Sequence, residues 1–148
     1  MSKVLVFDGR SRAALSIIRS LGRKGIYVIA GEAFPCASFY SRYTSERMIY
    51  PPPNSQPAAF RSFVLEYLKI NKVDVLIPVR DDITEIMIRH RQEFSAYSSF
   101  LLPDEVSFQA TRDKAETIEL ARELEIPCPK TVLTHKDAYD QDFLKGAF

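Results

Sequence analysis

Residues 3–22, KVLVFDGRSRAALSIIRSLG, constrain this fold more tightly than any other stretch. Val4, Leu5, Val6 and Phe7 form an apolar run too short for an ordinary helix and rich in β-formers, which is the pattern of a strand buried on both faces. Asp8-Gly9-Arg10-Ser11 interrupts the run: Gly9 supplies backbone freedom for a sharp turn, and Ser11 is placed to cap a helix. Ala14, Ile17, Ile18 and Leu21 then recur at helical spacing, giving one apolar stripe that can lie back across a sheet. A strand feeding such a helix is how a domain of parallel strands and crossover helices begins.

The same unit recurs downstream. Arg23-Lys24-Gly25 closes the first helix with cations and a glycine suited to left-handed backbone. Residues 26–30 read as a second strand, and residues 46–50 as a short third one stopped by Pro51, Pro52 and Pro53. Between them, residues 33–43 mix Pro35 and serines with the aromatics Phe34, Phe39, Tyr40 and Tyr43, the composition of a loop. Asn54 or Ser55 is expected to cap a helix with Pro57 in its first turn, Phe60, Phe63, Val64, Tyr67 and Leu68 on one face, and an end at Asn71. Residues 73–79, VDVLIPV, are the strongest later strand and deliver Arg80, Asp81 and Asp82 into a loop before a helix marked by Ile83, Ile86 and Met87. Residues 100–102 read as a further parallel strand ended by Pro103, followed by a helical turn over 105–110. A last helix is expected from an Asp113 cap to Leu124, with Glu116 completing an acidic capping box; Pro127 and Pro129 end it, and residues 130–133 read as a strand. Alternation at this spacing predicts an α/β fold, a doubly wound parallel sheet of about four or five strands.

Composition excludes several classes of function. The 148 residues suffice for one full core, and 46% hydrophobic with 26% charged residues is ordinary for a globular domain. Twenty Lys and Arg against 19 Asp and Glu leave a net charge of +1, so no global field recruits nucleic acid or an anionic membrane. No apolar run approaches the roughly 20 residues that span a bilayer, and the N-terminus runs directly into a strand; the expected compartment is the cytoplasm. Cys36 and Cys128 stand far apart without metal-ligand spacing, and His90 and His135 have no nucleophile or metal partner visible in the sequence. No metal site is therefore expected.

In a doubly wound sheet, ligands sit beyond the carboxyl ends of the strands, where strand order reverses. That rule gathers Gly9, Arg10, Ser11, Glu32, Arg80, Asp81 and Asp82 on one rim. The turn aligns on the dinucleotide fingerprint G-x-G-x-x-G/A, with Glu32 near the place of a ribose-binding acid. Its centre departs from the pattern, because Ser11 puts a side chain where the second glycine would admit a pyrophosphate. Arg10 is the cation best placed to meet a carboxylate or phosphate, while Asp81 and Asp82 suit either a helix start or a ligand.

Three stretches carry a family resemblance: DGRSRAALSIIRSLGRKGIYVI, VDVLIPVRDD and, above all, RDKAETIELARELEIPCPKT at residues 112–131. Together they resemble the amino-terminal domain of ATP-grasp enzymes, the ATP-dependent carboxylate–amine ligases that include biotin carboxylase and the large subunit of carbamoyl-phosphate synthase. The most specific part is the Asp113-Lys114 pair opening a helix that ends in IPCPKT, residues 126–131. The resemblance implies a Rossmann-like pre-ATP-grasp domain over 1–111 and, over 112–148, a linking helix and strand that begin the ATP-grasp region. It also implies that ATP and Mg²⁺ are held by two later subdomains, the partners of this one, where a small-molecule carboxylate is activated as an acyl phosphate. Lys114 is then directed at ATP phosphates and Gly9, Arg10 and Ser11 face the substrate; Arg80, Asp81 and Asp82, placed on the same rim by the strand-end rule, are expected to face it as well. The family's glycine-rich phosphate loop, second ATP lysine and magnesium ligands have no counterpart up to Phe148. The chain alone is thus expected to bind no cofactor tightly, to contain no catalytic residue and not to catalyse ligation.

Two other readings fit the residues. One is a non-catalytic interaction module that docks, or forms a homodimer, through the aromatic loop 33–43. The other is a dinucleotide-binding domain.

Overall fold

The computed structural model describes residues 2–129. The expected strand at 130–133 and His135 lie outside the described residues. Two compact units divide between Glu105 and Val106, whereas the family resemblance implies a division after residue 111.

In the first unit the order is β1 (Lys3–Val6), α1 (Arg12–Arg23), β2 (Tyr27–Glu32), a 3₁₀ turn (Ala37–Tyr40), β3 (Glu46–Ile49), α2 (Pro57–Ile70), β4 (Val75–Ile77), α3 (Asp81–Arg89) and α4 (Arg91–Ser95). The strands form one parallel sheet in the order β3-β2-β1-β4. Alternation along β1 divides the core in two. Leu5 and Phe7 join Phe60, Val64 and Leu68 of α2, Ile83 and Met87 of α3, and Phe94 of α4. Val4 and Val6 join Ala14 and Ile18 of α1 with Phe39 of the 3₁₀ turn. Helices on both faces make this the three-layer, Rossmann-like arrangement expected, and they explain why residues 4–7 are apolar without interruption.

Local chemistry sets the boundaries. Ser11 caps α1, its Oγ accepting from the Ala14 amide at 3.0 Å, and Gly25 closes the helix in left-handed backbone at φ 75°. Neither Asn54 nor Ser55 caps α2, which begins at Pro57 after Gln56 with no side-chain cap. Instead the Gln56 amide donates to the Pro52 carbonyl at 2.9 Å, so a turn off the proline run launches the helix. The strand expected at 100–102 is reduced to a single bridge between Val75 and Ser99. Past Ser99, the Leu102 and Pro103 carbonyls accept from the Arg91 guanidinium, and Leu101 is almost wholly exposed. These two carbonyls are satisfied without a neighbouring strand.

In the second unit, α5 (Glu105–Arg112) leads to α6 (Lys114–Glu123). Asp113 caps α6 as expected, accepting from the Ala115 amide at 2.7 Å. The Asp113 amide donates to the Gln109 carbonyl, which takes the place of a reciprocal capping box. No helix among the described residues is long and apolar enough to cross a membrane.

The amino edge of the sheet is tied by side chains. The Glu46 carboxylate accepts from the Tyr67 hydroxyl at 2.5 Å and the Tyr27 hydroxyl at 3.2 Å, with Lys3 Nζ at 3.9 Å. A tighter constraint lies at Gly22, where a Cβ would come within 2.6 Å of Tyr43 Cβ and 2.8 Å of its carbonyl oxygen. Backbone cannot give way there, so Gly22→Ala is expected to lower stability by about 1–3 kcal/mol despite the better helix propensity of alanine. Urea unfolding of the two proteins checks it, and an unchanged or raised midpoint would show that the α1–Tyr43 approach is soft.

Candidate functional site

The strand order places β2 and β3 on one side of β1 and β4 on the other, so the switch point lies between the carboxyl ends of β1 and β4. Asp8 stands there. It is 4% exposed and its backbone is left-handed at φ 60°, a conformation aspartate tolerates better than most residues. Its Oδ2 accepts from the Val79 amide at 3.0 Å and the Arg80 amide at 2.9 Å, and its own amide donates to the buried Tyr50 hydroxyl at 3.1 Å. The sharp turn thus rests on Asp8 rather than on the left-handed freedom expected of Gly9. Gly9 matters for a different reason: its amide donates to the Gly31 carbonyl at 2.9 Å, and a Cβ would meet Cys36 Sγ at 3.0 Å.

A cleft of about 150 Å³ opens above this turn, lined by Asp8, Arg10, Glu32, Phe34, Arg80 and Asp82, with Pro52, Pro53 and Asn54 on the rim. Of the residues expected to face a substrate, it brings together Arg10, Arg80 and Asp82. Arg10 lies over the Phe34 ring at 5.0 Å, and Arg80 NH2 stands 3.5 Å from Asp82 Oδ2. Gly9 packs under Cys36, Ser11 is occupied as the α1 cap, and Asp81 is exposed in the first turn of α3. Glu32, aligned above with a ribose-binding acid, is 6% exposed and uses Oε2 on the Arg10 amide at 3.1 Å and Oε1 on the Ala33 amide at 2.7 Å.

Sequence reasoning missed Asp8 as a site residue, although a lone acid closing an apolar strand run was the available signal. It also missed Phe34 and the proline rim, for which the sequence offered only loop composition. Phe39, expected in a docking loop, is 4% exposed and belongs to the core, whereas Tyr40 is 74% exposed.

Lys114 lies in the second unit, exposed in the first turn of α6. A broader hollow of about 340 Å³ there is bordered by Gln109, Arg112, Asp113 and Glu116; it lacks an apolar wall, and the cleft at the switch point is the better-built site. Among the described residues, no three His, Cys, Asp or Glu side chains gather as a metal site. His90 sits between Glu93 and Arg61, with Nδ1 at 2.9 Å from the Glu93 carboxylate and 3.2 Å from the guanidinium.

No family model matches the sequence, and no curated protein matches it. Solved structures do. The chain is similar to the biotin carboxylase domain of a single-chain bacterial carboxylase, with 18% identity and a TM-score of 0.55 over 86% of this chain and 30% of that one. It is similar to glycinamide-RNase-transformylase T from Mycobacterium tuberculosis, with 16% identity and a TM-score of 0.57 over 82% of this chain and 35% of that one. A third is N5-carboxyaminoimidazole ribonucleotide synthetase from Thermotoga maritima, with 15% identity and a TM-score of 0.56 over 100% of this chain and 37% of that one. The chain spans about a third of the length of these proteins. At such identities the likeness shows the fold alone: a Rossmann-like α/β domain that each of these larger proteins contains as a part.

Burial raises the Asp8 carboxyl above its ordinary 3.8, and nearby Asp82 adds to the rise against the lowering effect of the Arg80 and Val79 amides. With the folded pKa above the unfolded one, the folded state holds more protons between those two values. Stability therefore falls as pH rises through that window. Asp8→Asn keeps an acceptor for the amides, suits left-handed backbone and removes the buried charge. It is expected to match or exceed the parent in stability at neutral pH, with the difference shrinking in acid. Urea titrations on both sides of the window test this, and a variant less stable at neutral pH would mean that the charged bonds outweigh desolvation.

Proposed function

We propose that this chain is the amino-terminal, pre-ATP-grasp domain of an ATP-dependent carboxylate–amine ligase, and that it supplies the substrate-side wall of the active site. The observation that carries this reading is the cleft at the β1–β4 switch point, on a fold shared with parts of several larger enzymes. Arg10 and Arg80 present guanidiniums to the carboxylate, and the Asp8 clamp holds the backbone of the Arg80 loop. Fixing the reacting carboxylate in this way lowers the entropic part of the barrier without any bond being made by these residues. Further ATP-grasp subdomains, on the same or another chain, hold ATP and Mg²⁺ and carry out acyl-phosphate formation. Lys114 contributes a compact, mobile charge to the phosphates. The cytoplasm, where ATP is abundant, is the compartment that suits this chemistry.

In the complete ligase, Arg10→Ala is expected to raise the substrate KM by about tenfold, the worth of one half-exposed charged hydrogen bond, while leaving the ATP KM little changed. Lys114→Ala is expected to do the reverse. Steady-state kinetics with each substrate varied in turn decides it, and an exchange of the two patterns would overturn the assignment. The 148-residue chain alone is expected to give no heat of ATP binding in calorimetry. Micromolar ATP affinity would contradict the division of labour.

A further inference from the structure

At the carboxyl end of α1 the molecule presents cations with no acid to answer them. From Gly9 to Ser45 the only acid is Glu32, which is buried and gives both carboxylate oxygens to backbone amides. The next acid, Glu46, is held by the Tyr67 and Tyr27 hydroxyls with Lys3 nearby. A solvated helix face ordinarily mixes both signs of charge. Here Arg12, Arg19, Arg23 and Lys24 of the α1 region, with Arg42 of the loop after the 3₁₀ turn, are all exposed and form no ion pair among the described residues.

Two of these cations are brought together by the backbone. Gly22 approaches Tyr43 so closely that a Cβ would lie 2.6 Å from Tyr43 Cβ. Arg23 follows Gly22 and Arg42 precedes Tyr43, so this one contact sets both arginines beside the same phenol. The guanidinium carbon of Arg42 lies 4.8 Å from the Tyr43 ring centroid and that of Arg23 5.7 Å. Arg42 Nη2 donates to the Tyr43 hydroxyl at 2.6 Å. That bond first, and Arg23 second, hold the Tyr43 phenol below its ordinary value, the mark of a positive potential at the hydroxyl. The loop itself is anchored, with the Thr44 hydroxyl donating to the Ser38 carbonyl at 2.6 Å. The carbonyls at the end of α1 are already used: Leu21 accepts from the Lys24 and Ile26 amides, and Gly22 from the Gly25 amide.

The hydrogen-bonding capacity of this cluster is one-sided. Each guanidinium has five N–H donors and no acceptor, and the neutral phenol, while accepting from Arg42, still has its own proton to donate. An amine or metal cation finds no partner there. A phosphoryl group supplies three acceptor oxygens and, near neutral pH, a charge of about −1.5 to −2, which matches two guanidiniums better than the single charge of a carboxylate.

We infer that Arg23, Arg42 and the Tyr43 hydroxyl form a binding site for a phosphoryl dianion, free or carried on a larger molecule, at the opposite end of α1 from the switch-point cleft. The site is open to solution, because both arginines are exposed.

Nitrogen–proton NMR titration of the 148-residue chain with inorganic phosphate, at an ionic strength held constant with sodium chloride, tests the inference. Phosphate is expected to shift the Arg23, Lys24, Tyr43 and Thr44 amides with half-saturation at millimolar concentration, and acetate to bind about tenfold more weakly. Arg23→Gln and Arg42→Gln should each weaken phosphate by about tenfold, and Tyr43→Phe, which keeps the ring, by about fivefold. Arg12→Gln removes the same charge about three turns away along α1 and should leave the affinity unchanged. Each substituted arginine is exposed, and unchanged spectra elsewhere establish that the variants fold. O-phosphoserine binding as tightly as phosphate assigns the site to a phosphoryl group on a larger molecule, and its exclusion assigns the site to the free ion. Equal losses from Arg12→Gln and Arg23→Gln would mean diffuse surface charge and overturn the inference, as would equal binding of acetate and phosphate, or amides at Arg23 and Tyr43 that phosphate does not move. None of these outcomes depends on the ligase reading.

Discussion

Two backbone hydrogen bonds, from the Val79 and Arg80 amides to the Asp8 carboxylate, close the crevice that a reversal of strand order opens in this sheet. Strand pairing between β1 and β4 ends at Val6 and Ile77, with one more bond from the Phe7 amide to the Ile77 carbonyl. Beyond that, nothing in the ladder holds the two chain ends together. A side chain replaces the missing rungs: one oxygen of Asp8, with two lone pairs, accepts from two successive amides. The Tyr50 hydroxyl completes the arrangement from the third strand's end, its ring packed edge-on to Phe60 at 5.0 Å. Loop, sheet and core are joined at a single buried carboxylate.

The two edges of the sheet use carboxylates in opposite ways. At the amino edge Glu46 accepts two tyrosine hydroxyls with a lysine nearby, and links β3 to β2 and to α2. Every partner there is a side chain. At the carboxyl edge Asp8 and Glu32 accept from backbone amides, and the cationic side chains of Arg10 and Arg80 remain for the cleft. The carboxyl ends of the strands, where parallel sheets of this kind place their ligands, thus differ in chemistry from the amino ends.

Much of the fold was legible in residues 3–22 because the signals there agree: a continuous apolar run, a capping serine and a helical stripe all point the same way. The later strand at 73–79 was legible for the same reason, though it shortens to Val75–Ile77 where pairing partners run out. Residues 100–102 misled because β-propensity says nothing about whether a neighbour is available; here the carbonyls of Leu102 and Pro103 are claimed by Arg91, eleven or more residues away in sequence. The rim was legible as a place but not as a set of roles. Arg10, Arg80 and Asp82 do meet in the cleft, while Gly9 and Ser11 serve packing and capping. Phe34 and the prolines were invisible because loop composition carries no register; the Ser38 hydroxyl bonded to the Gly9 carbonyl and Phe39 in the core fix where the 33–43 loop lands.

The electrostatics of the cleft follow from which acids are spent. Three carboxylates around two guanidiniums would repel an anion if they were free, since opposed charges at such distances differ by a kcal/mol or more even with partial screening. A carboxylate that accepts backbone amides directs its lone pairs into fixed dipoles, and its field at the cleft mouth is correspondingly reduced. Glu32 and Asp8 thus have structural hydrogen bonds to backbone amides, and for Asp8 burial outweighs those bonds and raises its pKa. What the cleft presents outward is the pair of arginines, one stacked on an aromatic ring and one tethered to Asp82. Such a surface can hold and orient an anion. Activating a carboxylate chemically takes a phosphoryl donor and counter-charges of another kind, which in the proposed ligase belong to the further subdomains.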